Sequence, residues 1–326
     1  MYPYLSDLFK DFLGIELPFP IYSFGAMVAL GTLTAGWLLG KELDRYYQLG
    51  RLNGVRMPAD VQQKGEKGSR EKRRRNQGTV VVSPSNIVWT VAIIAVASGF
   101  AGAKVFHILE NLDDFSRNPA GMIFSSGGFT FYGGLIAGAL SVIWYIRKKD
   151  LSVPIFSDSL APGLIIAYGI GRLGCHLAGD GDWGIPSDVA GRPDWIPTWL
   201  WAETYANNIL GRNLSAAPVY PTPIYEFLMG LVIFAILWSV RKHPFKAGWL
   251  FSLYLVFNGI ERYLIEQIRV NNVFMVLGLE VTQAEVIAVV LIGLGVFGLI
   301  KTSRKRSVEA TETAEVAVSG ESDRRA

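Results

Sequence analysis

Arg172, Cys175, His176, Asp180 and Asp182 fall within eleven residues of the stretch AYGIGRLGCHLAGDGDWG, residues 167–184. It begins as an apolar, glycine-rich helix and ends in ionisable groups. A guanidinium at such a point can grip a phosphate through two parallel hydrogen bonds. An imidazole can take up a proton near neutral pH. The two aspartates read as caps that fold the turn. Elsewhere Lys104, Glu226, Arg262 and Glu266 interrupt apolar runs, and Arg269 stands just past the end of one. Arg262 and Glu266 are four apart and share a helix face. His107 follows Lys104 closely, and His107 and His176 are the histidines near this chemistry, with His243 in a basic loop. Taken singly, each arginine could snorkel to lipid headgroups. Taken together, they predict a positive pocket at the phosphate level of one leaflet.

The elements that must carry these residues are membrane spans. Half of the 326 residues are hydrophobic, only 18% are charged, and the mean hydropathy is +0.29. A soluble domain carries about 25% charged residues. The composition excludes an ordinary soluble enzyme, and no nucleic-acid partner is expected. Seven runs approach the ~20 apolar residues a spanning helix needs: 21–40, 86–109, 129–146, 155–177, 224–240, 248–268 and 284–300. The segment 41–79 holds eleven Lys and Arg, and RKK (147–149), RKHPFK (241–246) and KTSRKR (301–306) follow. With seven spans all four fall on one side, which predicts the N-terminus outside and the C-terminus in the cytoplasm. No cleavable leader is evident, because the first apolar run lacks a basic n-region. One cysteine, Cys175, allows no intrachain disulfide.

The expected organisation is an all-α polytopic membrane protein, with a seven-span domain over 1–306 and a polar, disordered cytoplasmic tail over 307–326. Residues 41–85 form a basic, partly disordered cytoplasmic loop, and 178–223 form a small outside head between spans four and five. Within the head, Trp195, Trp199, Trp201 and Tyr205 predict an element lying at the bilayer interface.

Four segments, in order, resemble those of the prolipoprotein diacylglyceryl transferases, seven-span bacterial inner-membrane enzymes. GRLG followed by an acidic residue and WG (171–184) is similar to the signature segment of that family. GGFTFYGGLIAG (127–138), YPTPIYEFLMG (220–230) and FNGIERYLIEQIR (257–269) are similar to three others. The resemblance spans about Pro20 to Ile300. It implies transfer of diacylglyceryl from phosphatidylglycerol to the lipobox cysteine of a preprolipoprotein signal peptide, with glycerol phosphate leaving. That reaction takes place within a lipid bilayer and needs no metal or cofactor. Arg172 and Arg262 match the essential arginines of the family and Gly184 a signature glycine. Asp180 matches a signature glutamate, with one extra residue before Trp183. Glu226, Glu266 and Arg269 match further positions.

The chain departs from the family at several polar positions. Tyr132 stands in place of a histidine, Cys175 and Ala178 in place of asparagines, Tyr220 in place of a histidine, and Phe24 in place of a tyrosine. Tyrosine, with an ordinary pKa near 10, is a poor base at neutral pH. The thiol therefore requires another base, His176 or His107, or activation by the positive field alone. His176 is four residues from Arg172 and shares its face, so it is the first candidate. The catalytic set read from the sequence is Arg172, Arg262, His176 and Tyr132, with Lys104, His107, Asp180, Gly184, Glu226, Glu266 and Arg269 binding substrate. The competing reading is a phospholipid-binding membrane protein without turnover, or a paralogue with another acceptor.

Overall fold

The computed structural model describes residues 1–58, 79–125, 127–269, 273–276 and 279–303. The bulk of the expected disordered loop and the whole tail after residue 306 lie outside the described residues. Among the described residues ten α-helices follow in order: α1 (Leu5–Leu13), α2 (Ser23–Gln48), α3 (Val88–Glu110), α4 (Leu112–Arg117), α5 (Pro119–Phe124), α6 (Phe131–Lys148), α7 (Val153–Ala178), α8 (Thr222–Val240), α9 (Trp249–Glu266) and α10 (Gln283–Thr302). Two short antiparallel hairpins, β1 (Val55–Pro58) with β2 (Thr79–Val82) and β3 (Val273–Val276) with β4 (Leu279–Thr282), depart from the all-α expectation.

Each of the seven expected spans lies within or closely overlaps a long helix. Among the described residues five helices are long and apolar enough to cross a membrane: α2, α3 with its leading turn from Pro84, α7, α8 and α10. The other two, α6 and α9, have 18 residues each, about 27 Å at 1.5 Å per residue. Helix α9 is the more polar because it carries Glu261, Arg262 and Glu266. Exposed large side chains such as Trp37, Ile93, Leu140, Val232 and Phe297 cover the outer faces of the bundle, as they must where lipid is the solvent.

The bundle has two chemically different ends. At one, the basic segments meet. Arg45 and Arg241 share the buried Glu42, with Arg241 Nε at 3.1 Å. Asp158 accepts the first amides of α9, from Gly248 and Phe251 at 2.7 and 2.8 Å, and Lys246 donates its amide to Thr302. Helix α2 runs to Gln48, past the expected end of its span, because Leu43 and Tyr46 bury in a core with Val55, Ile87, Ile146 and Phe156. The stretch 41–85, expected to be a loop, is thus a helix end plus a hairpin at its two margins.

At the other end the head gathers. The amino group of Met1 donates to Ala206 O at 2.7 Å, and Tyr2 N donates to Leu177 O. Tyr205 is not interfacial: at 1% exposure it is the core of the head, packed on His176 and Trp183. Trp195 and Trp199 are exposed.

Of the glycine pairs that flank Tyr132, the one after it, Gly133 and Gly134, serves helix packing. A Cβ at Gly102 would overlap Ala137 Cβ and lie 2.6 Å from Gly133 O, and one at Gly133 would overlap Phe106 Cβ. Bare glycines let α3 and α6 touch backbone to backbone.

Candidate active site

Helix α7 ends where Gly179 takes a left-handed conformation (φ +61), and Gly181 follows at φ +101. Two such residues within three positions reverse the chain. The reversal brings Asp182 back against Arg172, ten residues earlier, and the two side chains form an ion pair. Thr222, at the start of α8, holds the turn by donating its hydroxyl to Asp182 O at 2.6 Å. Gly184 then bridges to Arg269, its amide bonded to Tyr220 O and that of Ile185 to Ile268 O. A Cβ on Gly184 would lie 2.6 Å from Ile268 O, so only glycine allows the head to clasp the end of α9.

Three arginines from separate segments converge on one carboxylate. Glu226, on the first turns of α8, is fully buried. Arg172 Nε lies 3.3 Å from it, and Arg262 Nη1 and Arg269 Nη1 each lie 3.7 Å from it. Arg262 also binds Glu266 at 3.0 Å, and Arg269 binds Asp182 at 2.6 Å. Tyr168, one turn before Arg172, places its hydroxyl 2.9 Å from Glu226 and 3.1 Å from Glu261. The Arg172 guanidinium lies over the Tyr168 ring, 4.9 Å from its centroid. Burial alone would raise the Asp182 carboxyl, but Arg172 and Arg269 outweigh it and hold it below its ordinary range.

The expectation of a positive pocket is corrected here. The arginines are already matched by Asp182, Glu226 and Glu266. A buried guanidinium without a carboxylate would be too costly to fold. What remains open is specific: Arg262 Nη1 and Glu226 Oε2 are buried with no hydrogen-bond partner.

Other residues picked from the sequence sit elsewhere. His176 turns away from Arg172, its Nδ1 3.2 Å from the Tyr205 hydroxyl. Lys104 places its ammonium on Ser125 O, Ser125 Oγ and Gly127 O at 2.7–3.1 Å. All three of its donors hold a turn, so it acts as a fastener of the loop before α6. His107 packs its ring on Gly128, with Asn111 donating to its carbonyl at 2.9 Å. Tyr132 lies in the first turn of α6 against the Phe131 ring. Lys104, His107 and Tyr132 thus belong to the α3–α6 hairpin. None of the hydrogen bonds or ion pairs above joins them to the arginines. Asp180 accepts the Asp182 amide, and burial raises its carboxyl.

Sequence reading missed Glu261 and Tyr168, and it gave Asp182 only a folding role. The immediate neighbourhood Asp182–Trp183–Gly184 marked the right aspartate. Tyr168 and Glu261 had a visible sign too, each being a polar group one turn or one residue from a site arginine. Cys175 is 7% exposed, and its Sγ and oxygens of Asp180 and Asp182 all lie within 4.8 Å of one another. That trio has the spacing of metal ligands, but Asp182 spends both oxygens on guanidiniums.

A helical, multi-pass membrane protein with an ionic cluster at the head end of its bundle is the class these features define. Residues 69–301 match the family described as prolipoprotein diacylglyceryl transferase, and the chain belongs to that family. It is similar to the phosphatidylglycerol–prolipoprotein diacylglyceryl transferase of Clostridium tetani, 29% identical over 92% of this chain and 98% of the relative. The enzyme of the same name from Dehalococcoides mccartyi is 32% identical over 67% of this chain and 78% of its own. That from Corynebacterium glutamicum strain ATCC 13032 is 30% identical over 72% and 76%.

Proposed function

We propose that this chain moves the diacylglyceryl group of phosphatidylglycerol onto the cysteine thiol of a prolipoprotein signal peptide. The observation that carries the reading is the convergence of Arg172, Arg262 and Arg269 on Glu226, with Arg262 Nη1 left without a hydrogen-bond partner. A phosphodiester oxygen is the acceptor that such a donor lacks. The thiolate forms a C–S bond to the glycerol carbon, the C–O bond to phosphate breaks, and glycerol phosphate leaves. The guanidiniums stabilise the charge growing on the leaving phosphate. Arg172 and Arg262 hold the phosphate, Glu226, Glu266 and Asp182 aim the guanidiniums, and Gly184 docks Arg269.

The proposed setting is a bacterial inner membrane crossed by seven helices, α6 and α9 included. The basic end, with the C-terminus, faces the cytoplasm, and the head and N-terminus face outward. The positive loops support this orientation, as does the gathering of their described parts at one end. The deciding experiment supplies purified protein with phosphatidylglycerol and a lipobox peptide. A diacylglyceryl mass gain on the peptide cysteine is expected. Lipid retention with an unmodified peptide would mean a lipid-binding protein without turnover.

A further inference from the structure

Glu261 is the carboxylate of this cluster that no guanidinium reaches. Asp182, Glu226 and Glu266 each have an arginine nitrogen within 4 Å, and Glu261 has none among the described residues. It is nevertheless 2% exposed, and its Oε2 has no hydrogen-bond partner. Its Oε1 lies 3.1 Å from the Tyr168 hydroxyl, whose other neighbour is Glu226 Oε1 at 2.9 Å.

A phenol owns one proton and donates it once. Two ionised carboxylates cannot both receive it, so one contact must run from a carboxyl O–H to the phenol oxygen. Three arginine nitrogens lie within 4 Å of Glu226 and none lies that close to Glu261 among the described residues, so Glu226 is the better seat for the negative charge. The proton therefore sits on Glu261, and Tyr168 donates to Glu226. Charge counting agrees. Among the described residues the three guanidiniums pair with three carboxylates, Asp182, Glu226 and Glu266, and an ionised Glu261 would stand buried without a guanidinium beside it.

We propose that Glu261, carrying a proton and bonded through Tyr168 to Glu226, is a positioning residue that keeps the arginine cluster neutral and so open to an anionic phosphodiester. The proposal rests on the transferase reading above. The groups facing Glu261 are Tyr168 and Arg172 on α7, Glu226 on α8, and Tyr254 and Arg262 on its own helix. Helix α10, packed on α9 at Gly259 and Gly295, adds in its first turn only Glu285, which is held by Thr282 and Gln267. Loss of the Glu261 proton would leave the cluster with an excess negative charge. The lipid phosphate would then be repelled while the arginine geometry stayed the same.

Infrared difference spectra of the purified protein test the proton directly. At neutral pH the carbonyl band of a protonated carboxylic acid is expected in the wild type and absent in Glu261→Gln. In Tyr168→Phe, which removes the hydrogen-bond partner, the same band should shift in frequency. No such band in the wild type, its persistence in Glu261→Gln, or an unshifted band in Tyr168→Phe would each overturn the proposal. Should Glu261→Gln fail to fold, the wild-type and Tyr168→Phe spectra still decide it.

Kinetics supply the second readout. The wild-type KM for phosphatidylglycerol should rise with pH in the alkaline range, and Glu261→Gln, which cannot ionise, should lose that rise. Tyr168→Phe should raise the lipid KM about tenfold, the worth of one charge-assisted hydrogen bond, with a smaller effect on kcat. A Glu261→Gln profile superimposable on the wild type overturns the proposal. The infrared measurement needs no turnover, so a chain that shows the band but leaves the peptide unmodified refutes the transferase reading alone.

Discussion

Arg172 touches three partners in different ways: an ion pair to Asp182, a second to Glu226, and a face-on contact with Tyr168. Lysine cannot reproduce that fork. Arg172→Ala and Arg262→Ala should each lower lipid transfer at least about tenfold, given ~1.5–3 kcal/mol for a charge-assisted bond. Full activity with lipid still co-purifying in both variants would remove the arginines from phosphate binding. The two aspartates of the turn should separate cleanly. Asp182→Asn takes one of two carboxylate partners from each of Arg172 and Arg269 and leaves both facing Glu226, and should destabilise the detergent-solubilised protein by about 1.5–3 kcal/mol, the worth of a charge-assisted bond. Asp180→Asn leaves both ion pairs intact and should shift the melting temperature little. His176→Gln can keep a hydrogen bond to Tyr205, so its rate should change only a few-fold. A hundredfold loss of kcat would instead restore His176 as the thiol base.

At the scale of elements, glycine decides how closely α3 and α6 approach. Gly133→Ala drives a methyl into Phe106 Cβ and to 2.6 Å from Gly102 O. The overpacking should cost roughly 1–3 kcal/mol, read as a lower melting temperature with unchanged helix content. The long helices were legible in the sequence because an uncharged apolar run of spanning length is stable only where lipid or a large core surrounds it. The turn after α7 was legible in part: Gly179 and Gly181 marked it, but the partner of each aspartate did not follow from spacing. Lys104 and His107 looked like site residues because a charge or imidazole inside an apolar run is costly. Ser125 and Gly127, the partners of Lys104, and Gly128, against the His107 ring, lie in a loop whose path only the fold supplies. Tyr168 and Glu261 lie 93 positions apart, beyond any local pattern.

For the whole molecule, the difference between the two ends makes an orientation test sharp. With Cys175 replaced, a cysteine introduced at Asn213 should react with an impermeant reagent added to intact cells, and one at Ser303 should not. Reaction at Ser303 alone would invert the proposed topology. The basic end also carries a response to acid. His243 is buried against Phe245 and Trp249, and burial, reinforced by Arg45 and Arg51, pushes its imidazole down to about 4. The unfolded chain takes up that proton first, near pH 6.5. The contribution of this residue is thus complete above about pH 6.5 and is lost as the pH falls toward 4. Between pH 7 and pH 5 it should amount to on the order of 1 kcal/mol after allowance for screening. His243→Phe should flatten that part of the melting-temperature profile, and an unchanged slope would assign the acid sensitivity to other groups.

The burial of Cys175 has a consequence for self-modification. An enzyme that alkylates thiols places its own sulfur one helical turn from the arginine proposed to hold the lipid donor. At 7% exposure, with carboxylate oxygens of Asp180 and Asp182 within 4.8 Å, that sulfur is largely covered. Burial of that sulfur favours the thiol of a visiting peptide over self-alkylation, so the purified protein incubated with phosphatidylglycerol alone should gain no diacylglyceryl mass.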